Sequence, residues 1–230
     1  MKLSVIIPVY NEEETIAEIV RRIKTVNLEK EIIIVEDGST DKTREILKEI
    51  LKQKDSSDEI KLVSRLQKSG KGEAIRTGLK YVSGDIVIIQ DADLEYDPND
   101  YYALIRPIVE GKTKVVYGSR ELGKNRKSSL SFFLGGKILS FLANLLYNAK
   151  ITDEPTCYKV FKKEVLQALN LKCKSFEFCP EVTAKLRKKG YQIYEVPIHY
   201  TPRSIKKGKK IRISDGVIAI WTLIKYRFID

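Results

Sequence analysis

The chain has 230 residues, enough for one α/β domain with a sizeable core. A hydrophobic fraction of 43% beside 32% charged residues excludes wholesale disorder. The formal net charge of +11 points to acidic partners: nucleotides, lipid phosphates, an anionic membrane surface or nucleic acid.

Leu3 to Val9 reads as a first strand. Asn11 is expected to cap the next helix with Glu14 as capping-box partner, and Ile16, Ile19, Val20 and Ile23 give that helix one apolar face. Residues 31–36 form a second strand, followed by the turn Asp37-Gly38-Ser39-Thr40-Asp41 and a helix carrying Ile46, Leu47, Ile50 and Leu51. Residues 52–59 are a polar surface loop and 60–64 a third strand. Gly70-Lys71-Gly72 then opens a helix with Ala74, Ile75 and Leu79 inward. Ile86 to Ile89 is a short β-branched run, as in a fully buried parallel strand. Asp97 caps a helix with Pro98 at its first position and Leu104, Ile105, Ile108 and Val109 inward. Residues 114–117 make a further strand.

After Gly118 the pattern changes. Residues 119–129 are a polar, basic loop and 131–148 a strongly apolar helix. Short helices are expected at 164–169 and 180–189, a strand at 191–200, a basic segment at 203–212 and an amphipathic helix at 213–228. The β–α alternation predicts an α/β, Rossmann-like domain: a mostly parallel sheet flanked by helices. Residues 1–120 form a nucleotide-binding half and 121–230 an acceptor-side half, in one continuous domain. The apolar segment 132–147 contains Lys137 and Asn144 and falls short of the ~18 uninterrupted apolar residues of a spanning helix. Cys157, Cys173 and Cys179 lack CxxC spacing; with one histidine this argues against zinc and for a reducing compartment. The N-terminus has no secretory cleavage pattern.

The acidic run Asp91, Asp93, Glu95, Asp97 follows the buried strand directly. Open α/β sheets bind ligands at the carboxyl ends of their strands. Asp91 and Asp93, with one small residue between them, suit Mg²⁺ or Mn²⁺, hard cations that share their oxygen ligands with substrate phosphates. A solvated acidic turn is the plainer alternative, and it accounts for Asp97 and Pro98 alone.

The segments VIIPVYNE, VEDGSTDKT, SGKGEAIRTG, DADLE, VYGSR and TCYKVF occur in one order from Leu3 to about Lys210. In these motifs the chain resembles the inverting family-2 glycosyltransferases, most of all the dolichyl- or polyprenyl-phosphate mannose and glucose synthases. The resemblance implies a GT-A-type fold and metal-dependent transfer of a hexose, mannose favoured, from a nucleotide-diphosphate sugar (GDP-mannose or UDP-glucose) to polyprenyl phosphate. It implies that Pro8, Tyr10, Glu12 and Asp37 contact base and ribose, that Lys71 and Ala92 line the nucleotide site, and that Asp153 lines the sugar pocket. Asp91 and Asp93 would hold the metal, with Glu95 where relatives have Gln as a further ligand. Arg120, with Arg126 as a second ligand, would hold the acceptor phosphate, for which a planar guanidinium is suited. Arg203 and Lys209 would close over the donor diphosphate. Glu36 stands where relatives frequently have Asp. Lys71 reads equally as a solvated lysine.

A lipid monophosphate is largely ionised at neutral pH, its second pKa being roughly 6, and needs no general base. An alcohol acceptor does, and Glu181 is the candidate for it. His199, on an alternating strand, reads as structural. The apolar helix after Arg120 and the last helix, with Trp221, Ile224, Tyr226 and Phe228, both have interfacial character. The expectation is a peripheral enzyme on the cytoplasmic face of a membrane, with room for a membrane-anchoring partner. A non-catalytic basic module on membranes or nucleic acid is the reading from another class. The basic run lacks interleaved aromatic residues, which ranks nucleic acid last.

Overall fold

The computed structural model describes residues 1–52, 59–125, 129–203, 210 and 212–229. Strands β1 (Leu3–Val9) and β2 (Lys30–Asp37) pair in parallel and are buried almost throughout. β3 (Glu59–Arg65) adds to the outer side of β2, and β4 (Ile86–Ile89) to the other side of β1, both in parallel. Helices α1 (Ile16–Thr25), α2 (Thr43–Lys52) and α3 (Lys71–Leu79) connect them. A 3-10 turn at Pro98–Asp100, with Asp97 accepting from Asn99 N, leads into α4 (Tyr101–Val109). The predicted apolar faces of these helices are buried or, at Ile46, Leu79 and Ile105, partly buried against the core, except that Leu51 and Val109 lie off the stripe and are exposed.

Asn11 does not cap α1. It is left-handed (φ 49), and its side chain turns to the loop after β2, its Oδ1 accepting from Thr40 N at 2.8 Å. Thr15 stands at the N-cap instead, without a side-chain cap, and Glu14 forms no capping box. The asparagine thus joins two strand-end loops rather than starting a helix.

Beyond β5 (Val115–Ser119) the sheet departs from simple alternation. β6 (Lys159–Lys162), which the sequence did not reveal, inserts antiparallel between β4 and β5. Four residues with lysine at both ends carry no readable period. Lys159 is nevertheless fully buried. Its ammonium donates to the carbonyls of Glu154 (2.6 Å) and Thr156 (3.1 Å) and lies 3.8 Å from the centre of the Tyr117 ring. β7 is only Tyr194–Pro197, shorter than the expected 191–200, and pairs in parallel with β5. The order is β3-β2-β1-β4-β6-β5-β7, so one sheet runs through both halves of the chain.

The carboxyl ends of β1, β2, β4 and β5 therefore share one edge. From β1 the chain proceeds to β2 on one side, and from β3 it crosses to β4 on the other. The order reverses between β1 and β4, and a crevice opens there.

Four more helices complete the fold: α5 (Leu130–Tyr147), α6 (Lys163–Ala168), α7 (Phe178–Lys188) and α8 (Ile213–Phe228). By length and composition α5 is, against expectation, long and apolar enough to cross a membrane. It nevertheless packs along α7 and α8, burying Leu139, Ser140, Ala143 and Tyr147. Its other face stays open: Leu134, Ile138, Phe141 and Leu145 are exposed at i, i+4, i+7 and i+11. On α8, Val217, Trp221, Ile224 and Phe228 repeat that spacing. Phe141 is 64% exposed, Trp221 62% and Phe228 81%, so both stripes face outward.

Candidate active site

A cleft of about 1330 Å³ starts in the β1/β4 crevice and runs between α5 and α8. Its walls include Pro8, Tyr10, Glu12, Asp37, Lys71, Asp91, Ala92, Asp93, Glu95, Arg120, Asp153 and Arg203, all singled out from the sequence. Arg126 and Lys209 lie outside the described residues.

At the mouth of β4, Lys71 Nζ lies 2.6 Å and 2.9 Å from the two oxygens of Asp91. Burial works against the ammonium, but the charge of Asp91 outweighs it and holds the Lys71 pKa well above the ordinary value. Asp93, half-buried, is crowded by Asp91 and Glu95. Burial first, and then these two like charges, raise its pKa from 3.8 to about 7. Two hard carboxylates side by side at the strand mouth, one of them crowded by like charge, are a donor set that fits a divalent cation of the Mg²⁺ or Mn²⁺ kind.

Glu95 does not complete a ligand triad. Its Oε2 accepts from the Tyr200 hydroxyl (2.8 Å) and its Oε1 from Arg203 N (2.6 Å), while its carbonyl accepts from Thr201 N (2.8 Å). Among the described residues no group of three or more acidic, histidine or cysteine side chains is poised for a metal. Glu95 is instead the peg that fixes segment 200–203 against the β4 loop.

Glu12, at the end of β1, is buried beneath two cations. Arg203 donates to it twice (2.8 and 2.9 Å), and Lys210 Nζ lies 2.7 Å from its Oε1. Burial raises the Glu12 pKa; Arg203 and Lys210 outweigh that and hold it below its ordinary 4.5. Lys210 also donates to the carbonyls of Tyr10 and Asn11, and Lys68 sits 4.1 Å from the centre of the Tyr10 ring. Lys68 and Lys210 were not anticipated. Each stands in a lysine-rich polar stretch where spacing does not single out one residue.

Asp37 lines the cleft but directs its carboxylate at backbone, accepting from Ser69 N (3.0 Å) and Gly70 N (2.7 Å). Its position makes it a loop anchor in this structure. Glu36 is fully buried and held by Arg44 (2.8 Å).

Arg120 forms a bidentate pair with Asp153, Nε at 2.8 Å and Nη2 at 2.6 Å, and its backbone N–H reaches the same carboxylate at 2.8 Å. Burial raises the Asp153 pKa, but Arg120 more than reverses this and keeps it below the usual range. Asn125, missed in the sequence, ties the loop together: its amide donates to the carbonyls of Arg120 and Ile198 and its oxygen accepts from Tyr200 N.

Glu181 lies away from the cleft with its carboxylate already engaged. It is fully buried and accepts from Lys172 N (2.7 Å), Cys173 N (2.6 Å), Lys185 Nζ (2.6 Å) and the Tyr226 hydroxyl (3.0 Å). It is absent from the cleft wall and locks α8 to α7. His199 lies outside β7; its exposed ring contacts Asp100 (2.7 Å), likewise away from the cleft.

An acidic strand mouth at a topological switch point, with basic side chains facing it, is an arrangement suited to charged, phosphate-bearing ligands. Residues 4–169 match the profile of glycosyl transferase family 2. The UDP-N-acetylglucosamine–dolichyl-phosphate N-acetylglucosaminyltransferase of Methanococcus voltae is 33% identical over 228 residues, covering 90% of each chain. The dolichol-phosphate mannosyltransferase of Pyrococcus furiosus is 31% identical over 221 residues, covering 92% of this chain and 61% of that one. The chain belongs to glycosyl transferase family 2 and is a glycosyltransferase. Glucosyl-3-phosphoglycerate synthase from Mycobacterium tuberculosis, solved with Mn²⁺, UDP and phosphoglyceric acid, superposes with a TM-score of 0.75 at 22% identity, over 100% of this chain and 79% of that one. The fold is of the GT-A type.

Proposed function

We propose that the protein transfers a hexosyl unit from a nucleotide-diphosphate sugar to a dolichyl- or polyprenyl-type phosphate at a membrane surface. The observation that carries this reading is the continuity of one cleft: acidic and basic at the β1/β4 crevice, and walled further on by Phe133, Gly136 and Ile138 of α5 and Val217 and Ile220 of α8. A ligand with a charged head and a long apolar tail matches that gradient. The activities of the Methanococcus and Pyrococcus relatives support the same acceptor class. They bring N-acetylglucosamine beside the mannose implied by the motifs, so the donor is a UDP- or GDP-linked hexose of one of these kinds.

In this reading Asp91 and Asp93 hold Mg²⁺ or Mn²⁺. The M. tuberculosis fold relative was solved with either ion and UDP. When bound, the cation offsets charge gathering on the departing diphosphate. Pro8, Tyr10 and Ala92 flank the nucleotide. Arg203 and Lys210 supply positive charge over the diphosphate, and Arg120, oriented by Asp153, faces the acceptor phosphate. An ionised phosphate oxygen attacks the anomeric carbon from the side opposite the leaving group. The new C–O bond forms as the bond to the nucleotide breaks, its electron pair leaving with the diphosphate, and the anomeric centre inverts. No base is required, consistent with the sequestration of Glu181. A hydroxyl acceptor would need one, and its candidate has been removed from the site.

The exposed stripes on α5 and α8 rest on the cytoplasmic leaflet in this account, with Lys225 and Arg227 near anionic headgroups. The test is a panel of labelled UDP- and GDP-sugars with Mn²⁺ and vesicles containing dolichyl phosphate. The account expects label in an acid-labile lipid fraction for one donor. Label found only in water-soluble glycan would overturn it. Binding to protein-free vesicles would dispense with an anchoring partner.

A further inference from the structure

The Lys71 ammonium straddles both oxygens of Asp91, at 2.6 and 2.9 Å. A divalent cation at its bonding distance of about 2.1 Å from that carboxylate would meet a neighbouring positive charge. Lys71 and a metal therefore compete for Asp91. The backbone around Lys71 is fixed. Gly70 has φ +101, and a Cβ there would lie 2.4 Å from Lys174 O; a Cβ on Gly72 would lie 2.9 Å from Ser175 O. Gly72 N and Glu73 N donate to the carbonyls of Ser175 (3.1 Å) and Lys174 (3.0 Å). The Lys71 side chain borders the open cleft and can exchange partners while this backbone stays in place.

We infer that Lys71 is the resident counter-cation of Asp91, and that a divalent metal takes this carboxylate as the donor diphosphate draws the ammonium away. Lys71 is thus a positioning residue that makes metal and nucleotide binding cooperative. The inference rests on the metal reading given above. Phosphate oxygens offer the ammonium a charge-assisted replacement for Asp91. The metal alone must displace Lys71 unaided, so its affinity is depressed until nucleotide arrives; by linkage, nucleotide affinity gains the same factor from metal.

The test is titration of the full chain with Mn²⁺, free ion read by electron paramagnetic resonance, with and without UDP or GDP and corrected for Mn²⁺ chelation by the nucleotide. Wild type should bind Mn²⁺ at least tenfold tighter with the matching nucleotide. Lys71→Met should bind Mn²⁺ alone at least tenfold tighter than wild type, and its gain from nucleotide should shrink by the same factor. Lys71→Arg, keeping the charge, should stay close to wild type. A Lys71→Met affinity within twofold of wild type would overturn the inference; should that variant fail to fold by thermal melt, Lys71→Gln is read in the same way. Failure of the metal reading looks different: wild type and Asp93→Asn would then bind Mn²⁺ equally, or neither would bind it.

Discussion

Replacing Glu12 by Gln tests how Arg203 and Lys210 are held against the nucleotide end of the sheet. The wild-type carboxylate accepts two hydrogen bonds from Arg203 and one from Lys210, all at 2.7–2.9 Å. Gln keeps the shape but turns one acceptor into a donor facing a donor, and it removes the charge from between two cations. Losing one charge-assisted hydrogen bond costs about 1.5–3 kcal/mol, and weakening the others adds to that. Arg203 is only 13% exposed and Lys210 37%, so screening is incomplete on one side. We expect a loss of about 2–3 kcal/mol at pH 7.5. At roughly 2–4 °C per kcal/mol for a chain of this size, the melting temperature falls by about 4–12 °C. The sign of the pH dependence follows from Glu12 sitting below its ordinary 4.5. Its contribution is fully present above the unfolded-state pKa and is lost as pH falls through the lower folded-state value. The gap between wild type and variant should therefore be constant from pH 8 to about 6 and narrow below about 4. Thermal melts across pH read this directly. A shift under 1 °C at pH 7.5, or a gap that widens in acid, would refute the reasoning.

Glu181→Gln should lower the melting temperature, since it disrupts the four-donor node joining α7 and α8, while kcat per folded molecule stays within about twofold. A hundredfold fall in kcat at unchanged fold would restore a base role. Phe141→Ser with Trp221→Ser should leave the fold intact, both side chains being exposed, and reduce sedimentation with anionic vesicles at least tenfold; unchanged sedimentation would move the membrane contact elsewhere. Arg120→Lys should lower stability by about 1–3 kcal/mol in a thermal melt, because an ammonium cannot make the bidentate pair with Asp153.

Much of the fold was legible because its elements are long and periodic. β1 and β4 are nearly continuous apolar runs, β2 has the apolar centre Ile32–Val35, and α1 carries an unbroken buried stripe. β6 escaped because a buried lysine, satisfied by two carbonyls and an aromatic face, reads as surface in one dimension. The cleft residues were found by their place at strand ends, but their partners were not. That Glu95 grips Tyr200, that Glu12 lies under Arg203, or that Arg120 clasps Asp153 depends on contacts spanning 33 to 191 positions. Asn11 shows the same limit: its local pattern is a cap, and its actual bond reaches the next strand-end loop.

The account turns on a divalent ion and a nucleotide diphosphate meeting at the β1/β4 crevice. A crystal grown with Mn²⁺ and the nucleotide that passes the donor panel, measured at the manganese absorption edge, examines this most directly. The account predicts an anomalous peak bonded to Asp91 and Asp93 and to diphosphate oxygens, with Lys71 turned from Asp91 toward the phosphates. A peak remote from both aspartates, or a diphosphate bound outside the crevice, would contradict it.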